Sequence, residues 1–359
     1  MKEHLRDIVP YQPGKPIDEL KREMGLKDVI KLASNEFPFP PSPKVKKAIT
    51  DAMDEVNRYP ESSCYYLRQR ICQLFSVDEN QVIFGNGSDE IIVMALRALV
   101  ERGQEVITAT PTFLVYRIAS MVEGVDLKEI PMKDFRYDLR AIKRSVSEKT
   151  RLIFIANPDN PTGTYVSYEE VVDFLRDLPK HVVVFFDEAY FEFARETDYP
   201  NCMRYVSDKR NVIVSRTFSK YFGLAGVRIG YAFADKGLIE AMNKVREPFN
   251  VNSIAQAAAI AALDSRDYYE RCYEEIMEAK AFLEKAMDDL EFPYIHSATN
   301  FILVRIGKSS QELVDELLKK GIIVRNMKAW GLEEYIRITI GRLSEVKRFV
   351  KELKHLLKE

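Results

Sequence analysis

Asn211-Val212-Ile213-Val214-Ser215-Arg216-Thr217-Phe218-Ser219-Lys220-Tyr221-Phe222-Gly223-Leu224-Ala225-Gly226-Val227-Arg228 is the stretch that decides the fold. Its first four residues form a hydrophobic lead-in that reads as a buried strand. Thr217 and Ser219 then bring two hydroxyls ahead of Lys220, and Gly223 and Gly226 loosen the backbone after it. Arg228 stands eight positions beyond the lysine. A lysine delivered from a strand end into a pocket can form a Schiff base with an aldehyde cofactor. Hydroxyls and an arginine around it are what a phosphate tail requires. A lone Ser-Lys pair would be a solvated loop lysine; the strand, hydroxyls, glycines and arginine together set this run apart.

Working outward, short β-branched runs alternate with amphipathic helical stretches from about residue 62 to 234. Strands are expected at 81–84, 105–108, 126–130, 151–156, 181–186, 211–215 and 229–234, with helices between them such as 89–101 and 167–178. This alternation predicts an α/β layer around a mostly parallel sheet. In such sheets ligands sit at the carboxyl ends of the strands. The candidate chemistry also follows strands, at 85–88, 157–163, 187–190 and 217–220. From about residue 265 the pattern changes. Helical periodicity at 268–290, strand-like runs at 300–306, 321–325 and 335–340, and a closing helix at 344–357 predict a smaller α+β domain. The expected division is a Pro-rich N-terminal segment (1–40) packing on that domain, a large α/β domain (41–264) and the small domain (265–359).

Composition narrows the function classes. Basic and acidic residues nearly balance, 53 against 55, so the chain has no field to attract nucleic acid or an anionic membrane. Cys64, Cys72, Cys202 and Cys272 lack a CxxC spacing and fit reduced thiols of a cytoplasmic protein. His4, His181, His296 and His355 are scattered and give no metal-ligand pattern. No apolar run approaches membrane-spanning length, and the first residues lack the apolar core of a signal peptide.

Four further segments carry chemistry. Asp187 ends the apolar run Val182-Val183-Val184-Phe185-Phe186, where a carboxylate is costly to bury without a partner. A protonated ring nitrogen would be such a partner; an N-cap role at the start of Glu188-Ala189-Tyr190 explains the residue equally well. Asn157-Pro158-Asp159-Asn160-Pro161-Thr162-Gly163 is a rigid turn able to hold the Asn160 amide against a ligand oxygen, and also a plausible plain structural turn. Gly85-Asn86-Gly87-Ser88-Asp89-Glu90 joins a strand to a helix, and backbone N–H groups there suit a phosphate, although such turns are common. Thr110-Pro111-Thr112-Phe113 places an aromatic after a strand, where it can lie on a flat ring or simply fill core.

In order and spacing these segments resemble the fold-type I aminotransferases, which use pyridoxal 5'-phosphate, and the resemblance spans essentially the whole chain. Asn-Pro-x-Asn-Pro-Thr-Gly, Asp-Glu-Ala-Tyr and Ser-Lys-x-x-x-Leu-x-Gly-x-Arg are jointly very specific. The resemblance implies a mostly parallel seven-stranded sheet in a large α/β domain beside a smaller α+β domain. It implies that Lys220 carries the cofactor as a Schiff base and that Asp187 pairs with the pyridine nitrogen. By the same matching, Asn160 and Tyr190 bond the phenolic oxygen and Phe113 stacks on the ring. Ser88, Asp89, Thr217, Ser219 and Arg228 surround the phosphate, the first two largely through backbone. Tyr59, in Asn57-Arg58-Tyr59-Pro60, matches a tyrosine that reaches the neighbouring subunit's cofactor, which implies a homodimer with shared sites.

Within that group the chain is most similar to the histidinol-phosphate aminotransferases. The resemblance rests on Tyr11-Gln12-Pro13-Gly14-Lys15-Pro16, Lys31-Leu32-Ala33-Ser34-Asn35-Glu36, Gly321-Ile322-Ile323-Val324-Arg325 and Trp330-Gly331-Leu332-Glu333-Glu334-Tyr335-Ile336-Arg337-Ile338-Thr339-Ile340-Gly341. It implies substrate contacts from Tyr11, Asn35, Arg325 and Arg337. Two arginines have a physical use, because one site must read a phosphate in one half-reaction and the carboxylates of glutamate or 2-oxoglutarate in the other. Taken singly, each arginine is equally a surface ion pair. Phe37 and Asp159 stand where the subfamily usually has asparagine, and Phe37 bears on the substrate pocket. The alternatives are a broad-specificity aromatic aminotransferase and a threonine-phosphate decarboxylase on the same scaffold. A third, the sensor module of a transcription regulator, would need a DNA-binding domain for which the chain has neither spare length nor a basic arm.

Overall fold

The apolar lead-in to Lys220 is a central strand of the large sheet. The computed structural model describes residues 3–6, 8–207 and 211–357. In chain order the strands are β1 (Ile30–Leu32), β2 (Val82–Gly85), β3 (Glu105–Thr110), β4 (Asp126–Pro131), β5 (Thr150–Ala156), β6 (Val183–Asp187), β7 (Val212–Thr217), β8 (Gly230–Phe233), β9 (Tyr294–Ile295), β10 (Phe301–Arg305), β11 (Ile322–Asn326) and β12 (Tyr335–Thr339). Seven form one sheet in the order β2-β8-β7-β6-β5-β3-β4. Only β8 runs antiparallel to its neighbours. The α/β architecture with a mostly parallel seven-stranded sheet is therefore as expected. Every residue of β6 and β7 is buried, which is why these strands read as continuous apolar runs rather than alternating ones.

The covering helices follow local rules. The expected helix at 167–178 is Tyr168–Arg176, opened by Ser167 and Glu170 in a reciprocal capping box. The expected helix at 89–101 is Ser88–Leu99. Register aligns the carboxyl ends of the central strands: Ala156 pairs with Asp187, Asp187 with Ser215, and both Gly85 and Thr217 with Gly230. The loops that leave these ends converge on one edge of the sheet.

The second sheet runs β1-β11-β12-β10-β9 and is packed by the helices Arg266–Asp289 and Leu343–Leu356. β1 comes from the N-terminal segment and pairs in parallel with β11, Ile30 opposite Ile322. β1 and β9, three and two residues long, are too short to show a period in sequence. In the antiparallel β11–β12 pair Arg325 stands directly opposite Arg337.

Candidate active site

A cavity of about 480 Å³ lies at the carboxyl ends of the large sheet, walled on the other side by β1, β11 and β12. Fourteen of the fifteen residues singled out from sequence line it, and Tyr59 does not. Lys220 follows β7 and donates from Nζ to the Ser34 carbonyl at 3.3 Å. Its ammonium lies 5.7 Å from the centre of the Tyr190 ring. Burial pulls its pKa down to about 8, and the Arg337 charge adds to the effect. About a tenth of the amine is then neutral at pH 7, far more than for an ordinary lysine, and a nucleophile and base requires that form.

Asp187 is buried at the end of β6. No α-helix begins after it: the next element is the short 3-10 turn Phe191–Phe193, whose N-cap is Tyr190, so the capping role is not realised. Instead the Tyr116 hydroxyl donates to Oδ2 at 2.8 Å and the Ala189 N–H to Oδ1 at 3.2 Å. Burial raises the carboxyl pKa to about 6 despite these bonds. Among the described residues no cation pairs with it.

Beside this carboxylate stands a group of residues that could hold a phosphate. The helix Ser88–Leu99 begins after Gly87 with no side chain capping it, so its first N–H groups face the cavity side unclaimed by a cap. Arg228, with φ 60°, donates to Ser219 Oγ at 3.4 Å and pairs with Asp89 Oδ2 at 3.4 Å. A Cβ at Gly87 would come within 2.2 Å of the Arg228 guanidinium, and Gly87 has φ +85°, so only glycine fits there. The Thr217 hydroxyl accepts from the Ser219 N–H at 3.1 Å and shapes the turn into Lys220.

The small sheet contributes the opposing charge cluster. Arg337 is 5% exposed and donates to the Ala33 carbonyl at 2.8 Å and to Asn160 Oδ1, while its Nε has no partner. Arg325 donates to the Gln12 carbonyl at 2.5 Å. Both guanidinium groups lie over the Trp330 ring, 5.3 and 5.9 Å from its centre. Neither has an acidic partner among the described residues. Burial lowers the pKa of both, that of Arg337 to about 10, with the Arg325 charge contributing. Like charges in register on adjacent strands repel; an anion between them removes the penalty. Asn35, at φ 54°, is clamped by Thr339, which accepts its N–H at 2.9 Å and donates to Oδ1 at 3.0 Å. Its amide then donates to the Tyr190 hydroxyl at 2.8 Å.

Phe113 lies against Tyr116 edge-on, with ring centres 5.6 Å apart. Tyr11 lines the cavity from the N-terminal segment. Tyr59 is 82% exposed and stacks on Phe249 at 4.7 Å, away from this chain's own cavity. Phe37 packs on Tyr269 and Gly223 and does not line the cavity. Sequence reasoning missed Tyr116, Ser34 and Glu36. Tyr116 had a signal: it stands three residues after Phe113, one helical turn away. Ser34 acts through its carbonyl, which side-chain chemistry does not reveal.

The chain matches the aminotransferase class I and II family over residues 27–353. It is 43% identical over 355 residues to "Histidinol-phosphate aminotransferase 2" of Carboxydothermus hydrogenoformans, covering 98% of each chain. To the histidinol-phosphate aminotransferase of a Geobacillus species it is 42% identical, covering 100% of this chain and 98% of the relative. In three dimensions it is similar to histidinol-phosphate aminotransferase from Sinorhizobium meliloti, solved in complex with pyridoxal-5'-phosphate. The TM-score is 0.92 at 30% identity, over 100% of this chain and 97% of that one. A family match across nine-tenths of the sequence and full-length relatives well above 30% identity, with a cavity that gathers the family's lysine, aspartate and arginine, place this chain in the class I and II aminotransferases.

Proposed function

We propose that the chain is a histidinol-phosphate aminotransferase. It converts histidinol phosphate and 2-oxoglutarate to imidazole acetol phosphate and glutamate, and the reverse, with pyridoxal 5'-phosphate on Lys220. The observation that carries the substrate assignment is the Arg325–Arg337 pair: two buried or half-buried cations in register, without acidic partners among the described residues, in a cavity that also holds Arg228, suited to a first phosphate. A second anion-reading group is what a phosphorylated amine and a dicarboxylate donor require. Full-length relatives carrying that name support the same reading.

The residues present fit the cofactor. The uncapped start of helix Ser88–Leu99, with Arg228, Ser219 and Thr217, suits its phosphate. When bound, the cofactor draws electrons from the carbon bearing the substrate amine. Asp187, a buried carboxylate that pairs with no cation among the described residues, would hold the proton at the ring nitrogen. Tyr190 accepts from Asn35, which leaves its own hydroxyl proton free for the phenolic oxygen. Asn160 offers Oδ1 to Arg337 and so turns its amide N–H groups to the same use. Phe113 covers the ring face. With the cofactor bound, Lys220 Nζ would take the substrate Cα proton as general base and hand it, as general acid, to the cofactor carbon that had borne the aldehyde. Arg325 and Arg337 orient the substrate's phosphate, and in the other half-reaction a carboxylate, while Tyr11 and Asn35 close the wall around it.

Shared sites in a cytoplasmic homodimer complete the proposal. The exposed Tyr59–Phe249 stack supports it, since an aromatic pair held in solvent suits contact with a second copy. No helix among the described residues is long and apolar enough to cross a membrane. The test is kcat/KM for histidinol phosphate, phenylalanine, tyrosine and threonine phosphate with purified protein. Histidinol phosphate should lead by at least about tenfold. Preference for phenylalanine or tyrosine makes the chain a broad aromatic aminotransferase, and carbon dioxide from threonine phosphate makes it a decarboxylase.

A further inference from the structure

Asp159 stands in the turn that carries Asn160, and it is fully buried. Its Oδ1 accepts the Thr112 hydroxyl at 2.5 Å. Its Oδ2 accepts the Thr162 N–H at 3.1 Å and the Thr162 hydroxyl at 2.9 Å. Thr112 in turn meets the Tyr137 hydroxyl at 2.7 Å, and its carbonyl accepts the Trp330 indole N–H at 2.9 Å. Thr112 precedes Phe113, and Asp159 precedes Asn160. One carboxylate therefore ties the loop after β3, which bears Phe113, to the loop after β5, which bears Asn160. Asn160 is the side chain that receives Arg337.

No cation pairs with Asp159 among the described residues. The titratable groups whose fields it meets are Tyr137, Tyr116 and, beyond Asn160, Arg337. We propose that Asp159 is a positioning residue for the substrate-anion site: its hydrogen bonds brace Phe113 and Asn160, and its charge weakens the hold of Arg337 on an anion. The inference rests on the reading of Arg325 and Arg337 as an anion site. Burial raises the Asp159 pKa to about 7, so the charge comes and goes in the neutral range. Below that pH the protonated carboxyl keeps its bonds, donating to Thr112, and the field of Arg337 is undiminished. Above it the carboxylate competes with the bound anion. By reciprocity, an anion at Arg337 draws a proton onto Asp159.

Two substitutions separate brace from charge. Asp159→Asn keeps the hydrogen bonds, with its carbonyl toward Thr162 and its amide toward Thr112, and removes the charge. Asparagine matches aspartate in size and shape, so the variant fits the same buried turn. Asp159→Ala removes both. The probe is sulfate, whose charge is constant from pH 5.5 to 8.5. Binding to the holoenzyme is read from the fluorescence of Trp330, the only tryptophan, which lies against both arginines. Wild-type affinity should fall about tenfold more between pH 6 and pH 8 than that of Asp159→Asn, the size of a one-pH-unit coupling between neighbouring charges. The other groups of the site are the same in both proteins, so only the difference is assigned to Asp159. In turnover, Asp159→Asn should act on KM for the phosphorylated substrate and not on kcat. Asp159→Ala, if folded by circular dichroism, should release cofactor about tenfold more readily, because Phe113 and Asn160 lose their brace. Superimposable sulfate profiles, or an effect confined to kcat, overturn the charge role. Unchanged cofactor release from folded Asp159→Ala overturns the brace. A wild type that does not respond to sulfate at any pH overturns instead the anion reading of the two arginines.

Discussion

Replacing Asp187 with asparagine should stabilise the cofactor-stripped protein while destroying most of its turnover. Burial holds the Asp187 carboxyl at about 6 instead of 3.8. The sign follows from linkage. A group whose folded pKa lies above its unfolded value binds more protons folded than unfolded, so stability falls as pH rises from 3.8 towards 6 and stays low above that. A gap of about 2.2 pH units at about 1.4 kcal/mol each gives a cost of about 3 kcal/mol at pH 8. Asparagine carries no such cost. It keeps an oxygen for the Tyr116 hydroxyl but turns its amide toward the Ala189 N–H, losing one hydrogen bond worth about 1 kcal/mol. A net gain of about 2 kcal/mol remains. With an unfolding entropy near 2 cal/mol/K per residue, this is a rise of about 3 °C in Tm for 359 residues. The advantage should shrink steadily between pH 6 and pH 4.5. In the loaded enzyme the order reverses, because a neutral amide cannot hold the ring-nitrogen proton. Loss of a charged interaction in a dry site, about 2–4 kcal/mol, lowers kcat about 30- to 1,000-fold. The assay is a set of thermal melts of stripped wild type and variant from pH 4.5 to 8, beside kcat of the loaded proteins. Near-normal turnover, or a stripped variant no more stable than wild type at pH 8, would refute the reasoning.

Other outcomes test the rest of the site. Borohydride reduction and peptide mapping should place a pyridoxyl group on Lys220, and a label on another lysine would remove that residue from its role. Arg325→Ala should lose about 2–5 kcal/mol of kcat/KM with histidinol phosphate and far less with phenylalanine, which carries no phosphate; equal losses would show that Arg325 does not read the phosphate. Mixing Tyr59→Phe and Lys220→Ala chains should give heterodimers with one doubly impaired site and one free of both changes. A monomer at assay concentration would end that reading of Tyr59.

How much of this was legible in sequence depended on length and on kind of contact. The central strands β6 and β7 show as apolar runs because both their faces are covered, whereas the edge strand β4, with no buried residue, does not. Asp187 ends β6, Lys220 follows β7 and Arg228 leads into β8, so fold and site are readable together. β1 and β9 escape because two or three residues cannot display a period. Ambiguity at Asp187 was real, since a carboxylate after a strand and before Glu188-Ala189-Tyr190 fits a helix cap. What decides against it is that the chain turns into Phe191–Phe193 instead of an α-helix. Arg325 and Arg337, twelve positions apart, look like separate surface cations until the register of β11 and β12 sets them opposite each other. Tyr116 and the Asp159 bridge depend on contacts between loops that only the fold creates.

Asp187 and Glu188 make the argument for function in adjacent positions. Both carboxylates are buried. Glu188 meets Arg216, whose Nε and terminal nitrogen reach Oε2 at 2.9 and 2.8 Å, so on that side the chain neutralises its own charge. Arg216 alternates with Thr217 along β7, and Thr217 faces the cavity while Arg216 does not. On the cavity side Asp187 receives, among the described residues, only a hydroxyl and an N–H. Arg337 receives a carbonyl and an amide oxygen, with Nε left over. The sheet therefore has the means to pair a buried charge one residue away and does not use it at the cavity. A carboxylate raised to about 6, an arginine lowered to about 10 and a lysine lowered to about 8 are each unfavourable in the stripped protein. On the proposed function each would be relieved by a different ligand group: a ring-nitrogen proton, a substrate anion and an aldehyde carbon. Charges left uncompensated in this arrangement belong to a site whose missing partners arrive with cofactor and substrate.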